Sequence, residues 1–130
     1  LRRTDILVSL LPNTPQTRGA IGRETFTMLR GNAELGGPFF VNAGRGETVN
    51  QPDLIACLRE GVLRGGVLDV FAHEPLAAES PLWSFPNVLV TPHIAADSDP
   101  KALSRQIMEN INRFEHGDPI AHTVDLARGY

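Results

Sequence analysis

One cysteine stands among the 130 residues, and no apolar run approaches the roughly 20 residues that a membrane-spanning helix needs. A lone Cys57 excludes an internal disulfide, which suits a reducing, cytoplasmic setting. Cys and His never recur at metal-ligand spacing, so no metal site is expected. Charge of one sign is also scarce. A net charge of -3 gives no electrostatic reason to invoke nucleic acid or an anionic membrane as partner. Internal repeats and low-complexity tracts are absent, and no signal peptide is visible within these 130 residues. The chain opens at Leu1 on a strand-like run, so a segment of a longer protein is expected.

What is present alternates. Asp5 to Leu11 reads as a buried strand, stopped by the loop signal Pro12-Asn13-Thr14-Pro15. Ile21 to Arg30 has a helical pattern, with Phe26 and Leu29 three apart, and the glycine-rich stretch Gly31 to Pro38 reads as a loop. Asn50 or Gln51 caps a second helix with Pro52 in its first turn. Its stripe is Leu54, Cys57, Leu58 and Gly61, where the glycine also stops the helix. Cys57 is thereby read as a small core residue. Gly65 to Phe71 and Asn87 to Thr91 supply two more strands, joined by a Pro-rich loop containing Ser80-Pro81-Leu82-Trp83. Asp97 to Pro100 starts a last helix striped by Leu103, Ile107, Ile111 and Phe114 and ended near Gly117, before a mostly irregular tail. This rhythm predicts an α/β fold, a doubly wound and mostly parallel sheet with covering helices.

The stretch Phe39-Phe40-Val41-Asn42-Ala43-Gly44-Arg45-Gly46 stands out within that frame. It reads as a buried parallel strand ending on a cation in a glycine-flanked loop. Ligands of open α/β sheets bind beyond the carboxyl ends of the strands, and arginine grips a carboxylate or phosphate through a fixed fork of donors. Glu74 and His93 follow the next two strands, so a parallel sheet brings Arg45, Glu74 and His93 to one edge. There, Arg45 would hold a carboxylate and polarise a neighbouring carbonyl. His93 would exchange a proton near neutral pH, and Glu74 would fix its tautomer and favour the charged ring. Each has a plainer reading: a solvated loop arginine, a turn-capping glutamate, a histidine serving local backbone groups. Their shared placement favours catalysis.

Asn42-Ala43-Gly44-Arg45-Gly46, Gly66-Val67-Leu68-Asp69-Val70-Phe71 with His73-Glu74-Pro75-Leu76, and Thr91-Pro92-His93-Ile94-Ala95-Ala96 occur in that order. With Thr4 to Val8 and Leu11-Pro12, they resemble the C-terminal part of the D-2-hydroxyacid dehydrogenase family over nearly the whole chain. Ser80 to Trp83 and Val124 to Tyr130 resemble, more narrowly, its glyoxylate/hydroxypyruvate-reducing branch. The resemblance implies the second half of a Rossmann-type NAD(P)-binding domain over residues 1–117, with 118–130 as a tail. It implies hydride transfer between NADP or NAD and a small 2-oxo acid, in a homodimeric full-length enzyme. The branch leans towards NADP. In the family pattern Arg45 holds the substrate carboxylate, His93 is the acid/base and Glu74 its partner. Leu11, Pro12, Thr17, Ala43, Gly44, Arg45, His93 and Ala95 lie along the cofactor. Asp69 matches a contact to the nicotinamide carboxamide, its plainer reading being a strand-end cap. Gly44 lets backbone come close to a flat ligand.

The sequence lacks the Gly-x-Gly-x-x-Gly fingerprint and a ribose-reading residue, which the family places upstream together with most of the substrate domain. The Gly31 to Gly37 loop is longer than the family's usual one, and Ala95-Ala96 replaces a small polar pair. A phosphoglycerate- or lactate-type dehydrogenase is the alternative within the family. Formate dehydrogenase is disfavoured, because Glu74 stands where that relative has Gln. A nucleotide-sensing, corepressor-like binding module is the alternative outside enzymes. Trp83 is read as packing rather than substrate contact.

Overall fold

The structure, a computed structural model, describes residues 1–31 and 35–128. Part of the loop between Gly31 and Pro38, and the final Gly129-Tyr130 of the family-like ending, lie outside the described residues. The chain divides into two compact units, Leu1–Ala95 and Ala96–Tyr130.

The first unit is built on strands β1 (Ile6–Ser9), β2 (Phe39–Asn42), β3 (Gly65–Leu68) and β4 (Val88–Val90). They form one sheet in the order β1-β2-β3-β4, and every neighbouring pair is parallel. Helices α1 (Arg23–Thr27) and α2 (Gln51–Arg59) lie in the first two crossovers, and the third, from β3 to β4, has no α-helix. Parallel strands require such crossovers, so all four strands end at the same edge of the sheet. Backbone bonding continues past the strand ends: Ala43 N–H donates to Ser9 O, Asp69 N–H to Asn42 O and Thr91 N–H to Leu68 O. The loops that follow are thereby held in the sheet's register.

The core lies between one sheet face and the helices. Phe26 of α1 meets Phe40 of β2 edge to face, with ring centroids 5.1 Å apart, and both are fully buried. Leu54, Cys57 and Leu58 carry the apolar stripe of α2 into this cluster, beside Leu63, Leu68 and Leu82. The Asn50 side chain accepts from Asp53 N–H as the α2 cap, and Gly61 ends the turn at φ 74°. Cys57 is buried, as expected, and burial pushes its thiol pKa up.

Several elements differ from the sequence reading. β1 was expected to be buried, yet Ile6 and Val8 are about half exposed. The strand lies at one end of the sheet order, and the core cluster gathers on the face of Leu7, Phe40 and Leu68. Ile6 and Val8 alternate to the other face. The helix expected over Ile21 to Arg30 is confined to Arg23–Thr27, since Ile21 instead pairs in a parallel bridge with Val49. The loop at Ser80 to Trp83 contains a 3₁₀ turn over Pro81–Ser84, capped by the Ser80 hydroxyl. Leu82, rather than Trp83, enters the core from it; Trp83 stays exposed, its indole N–H donating to Ala77 O.

The second unit is dominated by α3 (Pro100–His116), which Asp99 caps and Gly117 ends in the left-handed conformation. Asn110 fastens the following segment to it, donating to Ala121 O and accepting from Ala121 N–H. The expected stripe of Leu103, Ile107, Ile111 and Phe114 is exposed along this helix.

Candidate active site

Arg45 sits in a loop that β2 launches and buried polar groups then shape. Asn42, 2% exposed, accepts from Gly44 N–H at 3.2 Å and donates to Arg45 O at 3.3 Å. Thr48, fully buried, donates its hydroxyl to the same Arg45 carbonyl at 2.6 Å. The backbone on both sides of Arg45 is therefore fixed, while its side chain is exposed and Nη1 donates to Gly44 O. Two glycines make the loop possible. A Cβ on Gly44 would meet the Leu10-Leu11 backbone at 2.8 Å, and one on Gly46 would overlap the backbone of Phe71-Ala72. Close approach to neighbouring strand ends, rather than to a ligand alone, is what requires glycine here.

Glu74 follows β3 at a cis peptide to Pro75. Its Oε1 accepts from Phe71 N–H at 2.8 Å, and its Oε2 lies 2.9 Å from His93 Nδ1. The bond from His93, then that from Phe71 N–H, hold the Glu74 carboxyl below its usual pKa. An ionised Glu74 accepts from Nδ1–H and leaves Nε2 as the ring nitrogen available for other work. His93 and Glu74 remain partly open, with side chains 50% and 36% exposed.

Asp69 is the buried carboxylate of the site, at 3% exposure. Oδ1 accepts from Thr91 Oγ1 and from Ile94 N–H at 2.9 Å, and Oδ2 accepts from Ala95 N–H at 2.9 Å. Burial opposes its ionisation, but these donors outweigh it and hold the carboxyl below its usual range.

Arg45, Glu74 and His93 line one open cavity of about 260 Å³ at the carboxyl edge, floored by Gly46, Val70 and Phe71. The convergence expected from three strand ends is thus realised. A second cavity, of about 410 Å³ and lined mainly by apolar groups including Leu76 and Trp83, adjoins the other side of the Glu74–His93 pair. Ala43 and Gly44 sit at the end of β2, against the exposed Leu10 and Leu11 that follow β1. Thr17 spends its hydroxyl within its loop, donating to Pro12 O at 2.6 Å, so it shapes the Pro12 segment. Ala95 is exposed beyond His93. No group of three or more potential metal ligands occurs among the described residues. The sequence reading missed Asn42, Thr48 and Gly46 as supports of Arg45. A polar residue ending an otherwise apolar strand was the available signal for Asn42.

Comparison with known proteins identifies the family. Residues 1–95 match the family model described as D-isomer specific 2-hydroxyacid dehydrogenase, NAD binding domain. A glyoxylate/hydroxypyruvate reductase A of Escherichia fergusonii is 46% identical over 130 residues, which is 100% of this chain and 40% of that protein. An NADPH-dependent glyoxylate/hydroxypyruvate reductase from Sinorhizobium meliloti, solved with NADP and sulfate, is similar at a TM-score of 0.95 and 51% identity. That match covers 100% of this chain and 41% of the other. A probable 2-hydroxyacid dehydrogenase from Rhizobium etli, solved with NADP, HEPES and L(+)-tartaric acid, gives 0.91 and 50%, with coverage of 100% and 41%. The chain thus spans about two fifths of the length of these relatives. Sequence and fold agree that the chain belongs to the D-isomer specific 2-hydroxyacid dehydrogenase family, within its NAD-binding domain.

Proposed function

We propose that this chain is part of a reductase that converts a small 2-oxo acid, glyoxylate or hydroxypyruvate, to the 2-hydroxy acid with NADPH or NADH. The observation that carries this reading is the cavity shared by Arg45, Glu74 and His93, with Glu74 bonded to His93 Nδ1. The relatives named above add NADP and the substrate class. The edge fits a flat dinucleotide ligand: Leu10 and Leu11 expose apolar surface, and Gly44 presents no side chain above them. Leu11, Pro12, Ala43 and Gly44 would form that wall, with Thr17 setting the course of the Pro12 segment and Ala95 and His93 opposite. The chemistry such a cofactor supplies when bound is hydride for the carbonyl carbon.

The chain's residues supply the rest. Arg45 grips the substrate carboxylate and draws electron density from the adjacent carbonyl. Charge builds on the carbonyl oxygen as reduction proceeds, and His93 donates a proton there from Nε2. Glu74 holds Nδ1–H, which orients the ring and leaves Nε2 for the transfer. In the reverse direction the neutral ring accepts the hydroxyl proton. The longer protein is proposed to be a cytoplasmic homodimer. Turnover of glyoxylate or hydroxypyruvate by that protein, followed as NADPH oxidation, tests the reading. Tight cofactor binding with no turnover of any 2-oxo acid would replace it with a nucleotide-sensing module.

A further inference from the structure

Two features of the His93 turn need a common cause. His93 has φ 55°, in the left-handed region that a residue with a Cβ enters only at a steric cost. A conformation of that kind persists only where surrounding bonds hold it. Those bonds converge on one residue. His93 N–H donates to the Asp69 carbonyl at 2.9 Å, and the two amides that follow donate to the two oxygens of its carboxylate. Thr91, on the other side of His93, adds its hydroxyl to Oδ1. The turn is therefore gripped before, at and after the histidine.

We propose that Asp69 is the positioning residue of the catalytic histidine: its carboxylate braces the 91–95 turn, keeps His93 in the left-handed conformation and so sets Nδ1 against Glu74. The inference rests on the reading of His93 as the proton donor. It differs from a role as cofactor ligand, because the donors on both carboxylate oxygens come from the protein itself. It also explains why a carboxylate is required. Each oxygen faces at least one N–H or O–H, so the amide of Asn would set a donor against a donor on one side. Glu, one methylene longer, would displace the turn.

The test uses Asp69→Asn and Thr91→Val in the longer reductase that carries this chain. Steady-state kinetics, NADPH affinity by fluorescence titration and the nitrogen-15 signals of the His93 ring are measured on each. Misplacing the ring should lower kcat on the order of 100-fold in Asp69→Asn, with KM and the Kd for NADPH held within about 3-fold. The His93 Nδ1–H signal should lose the downfield shift that a bond to Glu74 produces. Thr91→Val keeps both amide bonds and should move the same readouts in the same direction by roughly 3- to 10-fold in kcat. It decides the matter where Asp69→Asn lowers stability. A loss confined to NADPH affinity, with the His93 signal unchanged, would make Asp69 a cofactor ligand and overturn the proposal. Unchanged kcat in both variants would overturn it too. Absence of turnover in the unsubstituted protein would count against the proposed function instead, and the His93 signal would still judge the brace.

Discussion

At Arg45 the backbone is fixed and the exposed side chain is steadied by one bond, from Nη1 to Gly44 O, an arrangement suited to a group that must meet a ligand without searching for it. Arg45→Ala should therefore lose a charge-assisted fork, roughly 3 kcal/mol, or on the order of 100-fold in kcat/KM. The loss should divide between a higher KM and a lower kcat, because the same grip binds the carboxylate and polarises the carbonyl. Glu74→Gln keeps the shape of the side chain but removes the carboxylate that accepts from His93 Nδ1. It should lower kcat on the order of 10-fold with KM nearly unchanged, because the ring is less well oriented; an unchanged kcat would remove Glu74 from this role. The same carboxylates bear on stability. Glu74 and Asp69 are held below their usual pKa in the folded chain, so the unfolded chain binds their protons first as pH falls. Their stabilisation is present above the unfolded carboxylate range of about pH 4 and is lost as pH falls through their folded values. Urea midpoints measured from pH 6 to pH 2 should fall across that window, and by less in Glu74→Gln.

The loops set these residues, and here Gly46 matters more than its place beside Arg45 suggests. A Cβ there would overlap the Phe71-Ala72 backbone, which leads directly to Glu74. Gly46→Ala should cost about 2–3 kcal/mol through forced backbone displacement, lowering Tm by several degrees in a thermal melt. Gly61→Ala is the contrast, because Gly61 has φ 74° and open space around it. It should cost only about 1 kcal/mol, and equal losses at the two sites would contradict the packing argument. The elements themselves were largely legible in the sequence. Asn50 before Pro52 and Gly61 after the α2 stripe are local signals, and local signals survive folding. The strand-end placement of Arg45, Glu74 and His93 was legible for a related reason, since parallel strands fix which end each loop leaves from. The exposure of Ile6 and Val8 was not, because burial of a strand depends on what covers each face. Nor was the support from Asn42 and Thr48, or the clamp from Asp69 onto a turn more than twenty residues later. Those bonds exist only once β2, β3 and β4 lie side by side.

Seen whole, the first unit has one well-filled sheet face and one that is largely open. Ile6, Val8 and Leu89 are each more than half exposed, and β1 ends the strand order with one side of its backbone unpaired among the described strands. An unpaired edge beside exposed apolar side chains is a template for association. The Gly-x-Gly-x-x-Gly turn that anchors a dinucleotide pyrophosphate is also missing from these 130 residues. The 130-residue chain alone should therefore show no NADPH oxidation with glyoxylate. Light scattering should give a concentration-dependent mass above its 14.2 kDa. Val8→Lys places a charge on that edge and should shift the mass towards the monomer. Val8 is 54% exposed, so the substitution should change the melting temperature little. A monodisperse monomer at every concentration would show that the exposed face and edge do not drive association. A lower mass in Val8→Lys accompanied by unfolding would instead make Val8 a structural residue. A lower mass with the fold intact would locate the association at β1, the strand from which the Ser9 carbonyl holds Ala43 and the loop of Arg45 in register.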